Sequence, residues 1–414
     1  MLRGTLSTLP IAERTGPPLP FREFITLLAL LISLTALAVD IMLPALPDIG
    51  LHFNIATEND RQLVVTGYLV GLAAGQLVWG HFSDLVGRRV PLLAGLAFYV
   101  VGSVAALVAP SFVVLVAARV CQGFGGAAGR TITTAIVRDC FSGRDMAHTM
   151  SFVMMVFIIV PVLAPGIGQG LLHLGNWRWG FGALLLVGLV ASVWVGFRLP
   201  ETWKVSRQEG LRPLGIMASL RAVLSNKVTR GYGIAAGLMF GCLVAYISSA
   251  QQVFVDAYQL GDMFPVAFGA IASTMAVAAL TNALLVRRLG MRRLSHTALV
   301  VFIAASGLLS VLCYMERPPL IVFMVLLGLC FYLFALMQSN FNSIAMQPVG
   351  HVAGMASSLL GGVVTGAGVV AGTIIGRAFD GTPFPLAAGF ATLGICAFLI
   401  VISVEGRHGL FRGE

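Results

Sequence analysis

One carboxylate lies deep in an apolar run. Asp40 sits within LLALLISLTALAVDIMLPAL, part of Phe24–Leu46, a stretch long enough to cross a bilayer as a helix. No other Asp or Glu is set so deep in a hydrophobic segment. A charge at membrane depth costs at least ~2.5 kcal/mol, so an acid kept there marks a functional site by default. Pro44 follows four residues later and has no N–H for the carbonyl of Asp40, and Pro47 likewise frees the carbonyl of Leu43. Freed carbonyls are tolerated at that depth where they face a cavity or neighbouring protein. The alternative is a structural Asp paired inside a helix bundle. Arg119 is a cation at similar depth in a later apolar stretch and could pair with Asp40. Arg119, Gln122, Gly123, Gly126 and Arg130 share one helix face, a polar stripe that should look into a bundle. The alternative for Arg119 is a structural clamp on backbone carbonyls of neighbouring helices.

A second group of charges sits where an apolar run ends. In Gly80-His-Phe-Ser-Asp84-Leu-Val-Gly87-Arg88-Arg89, Asp84 and Arg88 are four residues apart and would share a face of any helical turn. The glycines suit a tight loop between two helices. Arg138 and Asp139, at the end of the run that holds Arg119, could cross-pair with Asp84 and Arg88 and latch one end of a cavity shut. The plainer reading is a solvated turn with ordinary loop arginines.

The elements that must position these groups are membrane helices. The chain has 414 residues, of which 58% are hydrophobic and 10% charged; soluble domains carry about 25% charged residues. Twelve apolar spans can be drawn, near 24–47, 61–80, 90–109, 112–137, 146–172, 179–198, 230–254, 263–286, 294–314, 318–342, 352–379 and 383–404. Of the 26 Lys and Arg, 20 fall on the side of the N-terminus, which places both termini in the cytoplasm. The expected organisation is a disordered N-terminus over 1–23, a six-helix bundle over 24–198, a cytoplasmic loop over 199–229, a second bundle over 230–404 and a tail over 405–414. The segment before the first span has no cleavable-signal pattern, and that span serves as its own insertion signal. The loops after spans two and eight echo each other, with Gly87 aligned to Gly290. Duplicated halves around a midplane cavity are a transporter architecture. The net charge of +9 is spread over loops and does not point to nucleic acid. The six cysteines, Cys121, Cys140, Cys242, Cys313, Cys330 and Cys396, read as packing residues, with no metal or disulfide spacing.

The motif Gly80–Arg89 resembles the loop signature of the major facilitator superfamily. Arg119-Val-Cys-Gln122-Gly123-Phe-Gly125-Gly-Ala127-Ala128 is similar to the R-x-x-Q-G-x-G-A-A pattern of its proton-coupled members. Pro161-Val-Leu-Ala164-Pro165-Gly-Ile-Gly168-Gln-Gly170 resembles the Gly-Pro signature of antiporters, with Ala164 and Gln169 departing from it. Asp40–Pro47, Leu199-Pro200-Glu201-Thr202 and Gln347-Pro348-Val-Gly350…Gly354-Met-Ala356-Ser357 together resemble the bicyclomycin/chloramphenicol-resistance branch of multidrug exporters. The resemblance covers about residues 24 to 404. It implies an all-α fold of twelve helices in two pseudo-symmetric bundles, a bacterial inner-membrane location, and proton-coupled export of small amphipathic drugs by alternating access. It also implies a role for Arg119 in proton coupling beside Asp40 as proton acceptor.

No P-loop, His-Glu-x-x-His, Cys-x-x-Cys or nucleophile elbow occurs, so neither an ATP-driven engine nor an enzyme site is expected, and no metal or cofactor. An ion gradient is the remaining source of energy: one proton crossing ~100 mV and ~1 pH unit supplies about 3.7 kcal/mol, a gradient of roughly 500-fold. Asp40, Gln122, Tyr246 (the neighbour of Ala245), Gln338 and Asn340 are candidate cavity residues; Gln338 and Asn340 serve equally well as hydrogen-bond glue between helices. Pro44, Pro47, Pro165 and Gly168 are candidate hinge or packing positions. Gly354, Ser358, Gly362 and Gly366 form a ladder of small residues for close helix approach. The expected partners are a small-molecule substrate, protons and the bilayer, with the protein a monomer. A dedicated exporter or importer of one metabolite, such as a siderophore or amino-acid derivative, is an alternative, as is a non-transporting membrane sensor.

Overall fold

The apolar runs form helices because an unpaired backbone N–H or C=O is not tolerated in hydrocarbon, and a helix pairs them within one segment. The computed structural model describes residues 17–203 and 225–406. The helices are α1 (Phe21–Asp40), α2 (Leu46–His52), α3 (Leu63–Val86), α4 (Arg89–Leu107), α5 (Phe112–Cys140), α6 (Gly143–Leu174) and α7 (Arg178–Arg198), then α8 (Lys227–Gln251), α9 (Phe264–Leu289), α10 (Met291–Met315), α11 (Leu320–Met346), α12 (Ala353–Arg377) and α13 (Phe384–Glu405). Among the described residues, twelve helices, all but α2, are long and apolar enough to cross a membrane. The expected disordered N-terminus lies outside the described residues over 1–16, as does the loop over 204–224 and the tail over 407–414.

Two sequence expectations need correction. The first span is not one helix to residue 47. Pro44 cannot donate to the Asp40 carbonyl, so α1 stops at Asp40 and the chain passes through turns before Pro47 enters the first turn of α2. In those turns Met42 N–H donates to Val39 (3.2 Å) and Leu43 N–H to Asp40 (3.4 Å), three residues back instead of four. The carbonyl of Ala38 is thereby left for another donor. The second correction concerns Gly80–Arg89, which is not a loop. Helix α3 runs on to Val86, and the turn is only Gly87 and Arg88. Gly87 has φ +99°, and the matching Gly290 after α9 has φ +78°, a left-handed region that suits glycine.

Helix α5 packs tightly on α3 and α4. A Cβ on Gly123 would sit 1.9 Å from the Tyr68 carbonyl, and one on Gly71 would sit 2.0 Å from that of Val120. The glycines beside Arg119 therefore bring three backbones into contact. The two halves meet mainly where α3 lies against α12 and α6 against α9. Ser358 Oγ donates to the Gln76 carbonyl (2.6 Å) and the Gln76 side-chain amide to Thr365 (3.1 Å). Only part of the small-residue ladder serves this contact. Ser358 abuts Gly80 and Gly362 abuts Leu77, whereas nothing lies within 4 Å of a Cβ on Gly366. The side chains around Gly354 lie outside the described set.

Candidate functional site

Asp40 is the last residue of α1 and is 4% exposed. Its carboxyl makes no ion pair or hydrogen bond with the described residues. It lies within electrostatic reach of the Tyr246 hydroxyl on α8, across the junction of the two halves. Tyr246 is buried against Phe268 (5.2 Å, stacked) and Phe331 (4.7 Å), and its hydroxyl has no partner among the described residues. An aromatic wall with a free phenol thus faces a free carboxyl.

Arg119 does not pair with Asp40. It is fully buried and donates to the Val64 carbonyl of α3 (2.9 Å), the Ala38 carbonyl of α1 (2.8 Å) and the Gln122 side-chain oxygen. Its guanidinium lies 4.6 Å from the centre of the Tyr68 ring. The carbonyl released by the Pro44 turn is thus taken by Arg119, two residues before Asp40. This is the clamp arrangement: a planar fork satisfies backbone oxygens and fixes where α1 ends.

Gln122 is not a cavity residue. Its amide donates to Ser103 Oγ (2.8 Å), which donates to the Tyr99 carbonyl (2.8 Å), so both ends are consumed between α5 and α4. Asn340 is likewise 2% exposed and donates to Asn282 and to the Leu336 carbonyl, both at 2.7 Å, which ties α11 to α9. Gln338 differs: it is partly exposed and its side-chain oxygen is unpartnered among the described residues. Gly168 has a packing role. A Cβ there would lie 2.2 Å from the Ile41 carbonyl, so α6 rests directly on the turn after Asp40. Pro165 lies inside α6, one turn before Gly168.

The charged cluster at the end where α3 terminates is built around Arg88. It donates to Asp84 (2.6 Å), to Asp139 (2.7 Å) and to Ser83 Oγ (3.0 Å). Arg138 is half-buried and joins none of these bonds. Ser83 and Asp84 lie on α3, Arg88 in the turn before α4 and Asp139 on α5, so among the described residues the cluster fastens one half internally and does not bridge the two. Glu201 completes it. Its carboxylate accepts from the backbone N–H of Arg88 (2.8 Å), Arg89 (3.1 Å) and Trp203 (2.9 Å), capping the start of α4. Burial pushes the Glu201 carboxyl up, but these backbone donors outweigh it and hold it below the usual carboxylate value. A Cβ on Gly87 would meet the same carboxylate at 2.7 Å.

The ties between halves that the sequence reading missed lie at the opposite end. Arg61, just before α3, pairs with Asp256 beyond α8. Asp60 pairs with Arg377 at the end of α12. Asn59 donates to the carbonyls of Arg377 (3.0 Å) and Phe379 (2.8 Å), and Gln62 bonds Gln252 and the Gly376 carbonyl. The polar run Glu58-Asn-Asp-Arg-Gln62 was the available signal, opposite Gln251-Gln252 in an otherwise apolar span.

Comparison with known proteins places this arrangement. Residues 28–373 match the model of the Major Facilitator Superfamily. The chain is 30% identical over 388 residues to the "Bicyclomycin resistance protein homolog" of Haemophilus influenzae, covering 92% of this chain and 94% of that one. It is 28% identical over 389 residues to the "Chloramphenicol resistance protein" of Pseudomonas aeruginosa, covering 92% and 90%. Its fold matches that of the xylose transporter XylE from E. coli in a partially occluded inward-open conformation, with TM-score 0.72 and 14% identity, covering 92% of this chain and 97% of that one.

Proposed function

The chain belongs to the major facilitator superfamily and is a multi-pass membrane transporter, not an enzyme, and from that premise we propose that it exports small amphipathic drugs in exchange for protons. The observation that carries the coupling is Asp40: a buried carboxyl with no ion-pair partner, at the end of a helix that a proline stops, beside an aromatic wall of the other half. A group so placed can change charge where substrate would sit, and its occupancy by a proton or by substrate can bias the two halves differently. The relatives named for resistance to bicyclomycin and chloramphenicol support the drug reading. Both termini face the cytoplasm of a bacterial inner membrane, and the bundles over 24–198 and 230–404 are the bodies that rock. Arg119 acts through the turn it holds, fixing the position of Asp40 instead of sharing its charge. Arg88, Asp84 and Asp139 form the conformational latch by keeping the end of α3 rigid where Gly80 receives Ser358 of α12.

The test is uphill efflux of chloramphenicol from proteoliposomes under an imposed pH gradient. Wild-type protein transports it and Asp40→Asn does not, while Asp40→Asn still binds the compound. Full uphill transport by Asp40→Asn would remove Asp40 from the coupling role.

A further inference from the structure

Arg130 lies on α5, eleven residues beyond Arg119, which is three helical turns on the same face. Its neighbours on that helix, Gly126, Gly129, Ile132 and Thr133, are buried. Arg130 itself is exposed to solvent although it lies deep within the bundle and within electrostatic reach of the buried Tyr68. On another face of α5, Phe124 packs on Trp79 and Phe98. A side chain both deep and solvent-accessible lines an internal cavity.

Other arginines are matched: Arg119 by carbonyls, Arg61 by Asp256 and Arg377 by Asp60. The Arg130 guanidinium makes no ion pair or hydrogen bond with the described residues. Asp40 is not its partner. Gly129 packs on the Leu31 carbonyl, so Arg130 stands level with Leu31, nine residues along α1 from Asp40, or roughly 13 Å.

We propose that Arg130 forms an anion-recognition point in the cavity, and that the transported compounds include amphipathic monocarboxylic acids whose acid group is held there. This deepens the export reading and rests on the cavity being the transport site. The carboxylate accepts from the Arg130 fork, and the apolar body extends toward Asp40 and the Tyr246 wall. The axial offset of roughly 13 Å between the levels of Arg130 and Asp40 suits a drug-sized molecule and keeps its acid away from the Asp40 carboxyl.

The test is ligand-observed NMR competition with the purified full-length protein in detergent at pH 7, using 2-naphthoate and 2-naphthamide as probes. These have one shape and differ in charge. Wild-type protein should bind the naphthoate about tenfold or more tighter than the amide, as expected for a charge-assisted bond. In Arg130→Gln that ratio should fall to near one. In Arg130→Lys it should stay above that of the glutamine variant, because a point charge replaces the fork. If Arg130→Gln does not give monodisperse protein, the ratio is read in Arg130→Met, where it should likewise fall to near one. No preference in the wild-type protein, or an unchanged preference in Arg130→Gln or Arg130→Met, overturns the proposal. No gradient is imposed, so failure here leaves proton-driven efflux standing, and absence of efflux leaves this preference standing.

Discussion

At the scale of the residue, Asp40 and Arg119 divide the work between charge and geometry. Arg119 supplies three donors to oxygens on α1, α3 and its own helix. Removing them leaves buried acceptors unmet, each worth about 1–3 kcal/mol. Arg119→Ala is therefore expected to lower the melting temperature of the purified protein as well as its uphill transport. Asp40→Asn should lower transport while leaving melting nearly unchanged. A variant Arg119→Ala that melts like wild type would refute the clamp. Asp40 was legible in the sequence because a carboxylate in an apolar run stands out against its surroundings. The partners of Arg119 were not, because backbone carbonyls carry no label, and which one is free depends on a turn four residues from a proline. Gln122 was misplaced, and Asn340 left open between cavity and interhelical glue, for a related reason. Helical spacing gives the face of a polar residue but not whether a neighbour already consumes it. Arg61 and Asp256 are 195 positions apart, and nothing local announces that they meet.

At the scale of the element, the turn after Asp40 and the turn after Val86 are each held by one exacting contact. The Ile41 carbonyl lies where the Cβ of an alanine at Gly168 would go. Both atoms belong to backbones, so neither can swing aside. Gly168→Ala should cost about 1–3 kcal/mol through forced separation of α6 from α1, and should reduce transport even though the methyl touches no substrate. Unaltered melting and transport in Gly168→Ala would show that α6 moves freely there. At the other turn Glu201 caps α4, and its carboxyl is held below the ordinary value of 4.5 by backbone donors that outweigh burial. A group whose folded value is depressed contributes stability above its unfolded value and loses it as the pH falls through the folded one. Wild-type protein should thus melt higher than Glu201→Gln at pH 7, and the gap should close as pH drops below about 4.5. A gap that stays constant down to pH 3 would mean that the charge of Glu201 is not what caps the helix. The Leu199-Pro-Glu-Thr202 stretch was visible as a motif, but its role in closing the Gly87 turn needed the fold.

At the scale of the whole molecule, the described ties between halves gather at the end opposite Arg88, and the transported charge crosses between them. Breaking the Arg61–Asp256 pair with Asp256→Asn should raise labelling of single cysteines placed at that end, in a background lacking the native six. Unchanged labelling would count against a gate there. The deeper consequence concerns voltage. One proton entering for each neutral drug leaving moves one charge down the membrane potential. One proton entering for each carboxylate leaving moves two in the same sense. Each charge gains about 2.3 kcal/mol per 100 mV, and tenfold accumulation takes about 1.4 kcal/mol, so roughly 60 mV gives tenfold for the neutral compound. The same ~60 mV gives about a hundredfold for the anion. In proteoliposomes with potassium diffusion potentials and no pH gradient, the logarithm of accumulation should therefore rise twice as steeply for 2-naphthoate as for chloramphenicol. The comparison needs no knowledge of absolute affinity, since both slopes come from one preparation. Asp40→Asn should flatten the slope for chloramphenicol and halve that for 2-naphthoate, because the entering proton is lost from each cycle while the leaving carboxylate still carries its own charge. Equal slopes for the two compounds in the wild-type protein would mean that the acid leaves as its neutral form. That result would rule out a single-proton cycle in which Arg130 carries the naked carboxylate.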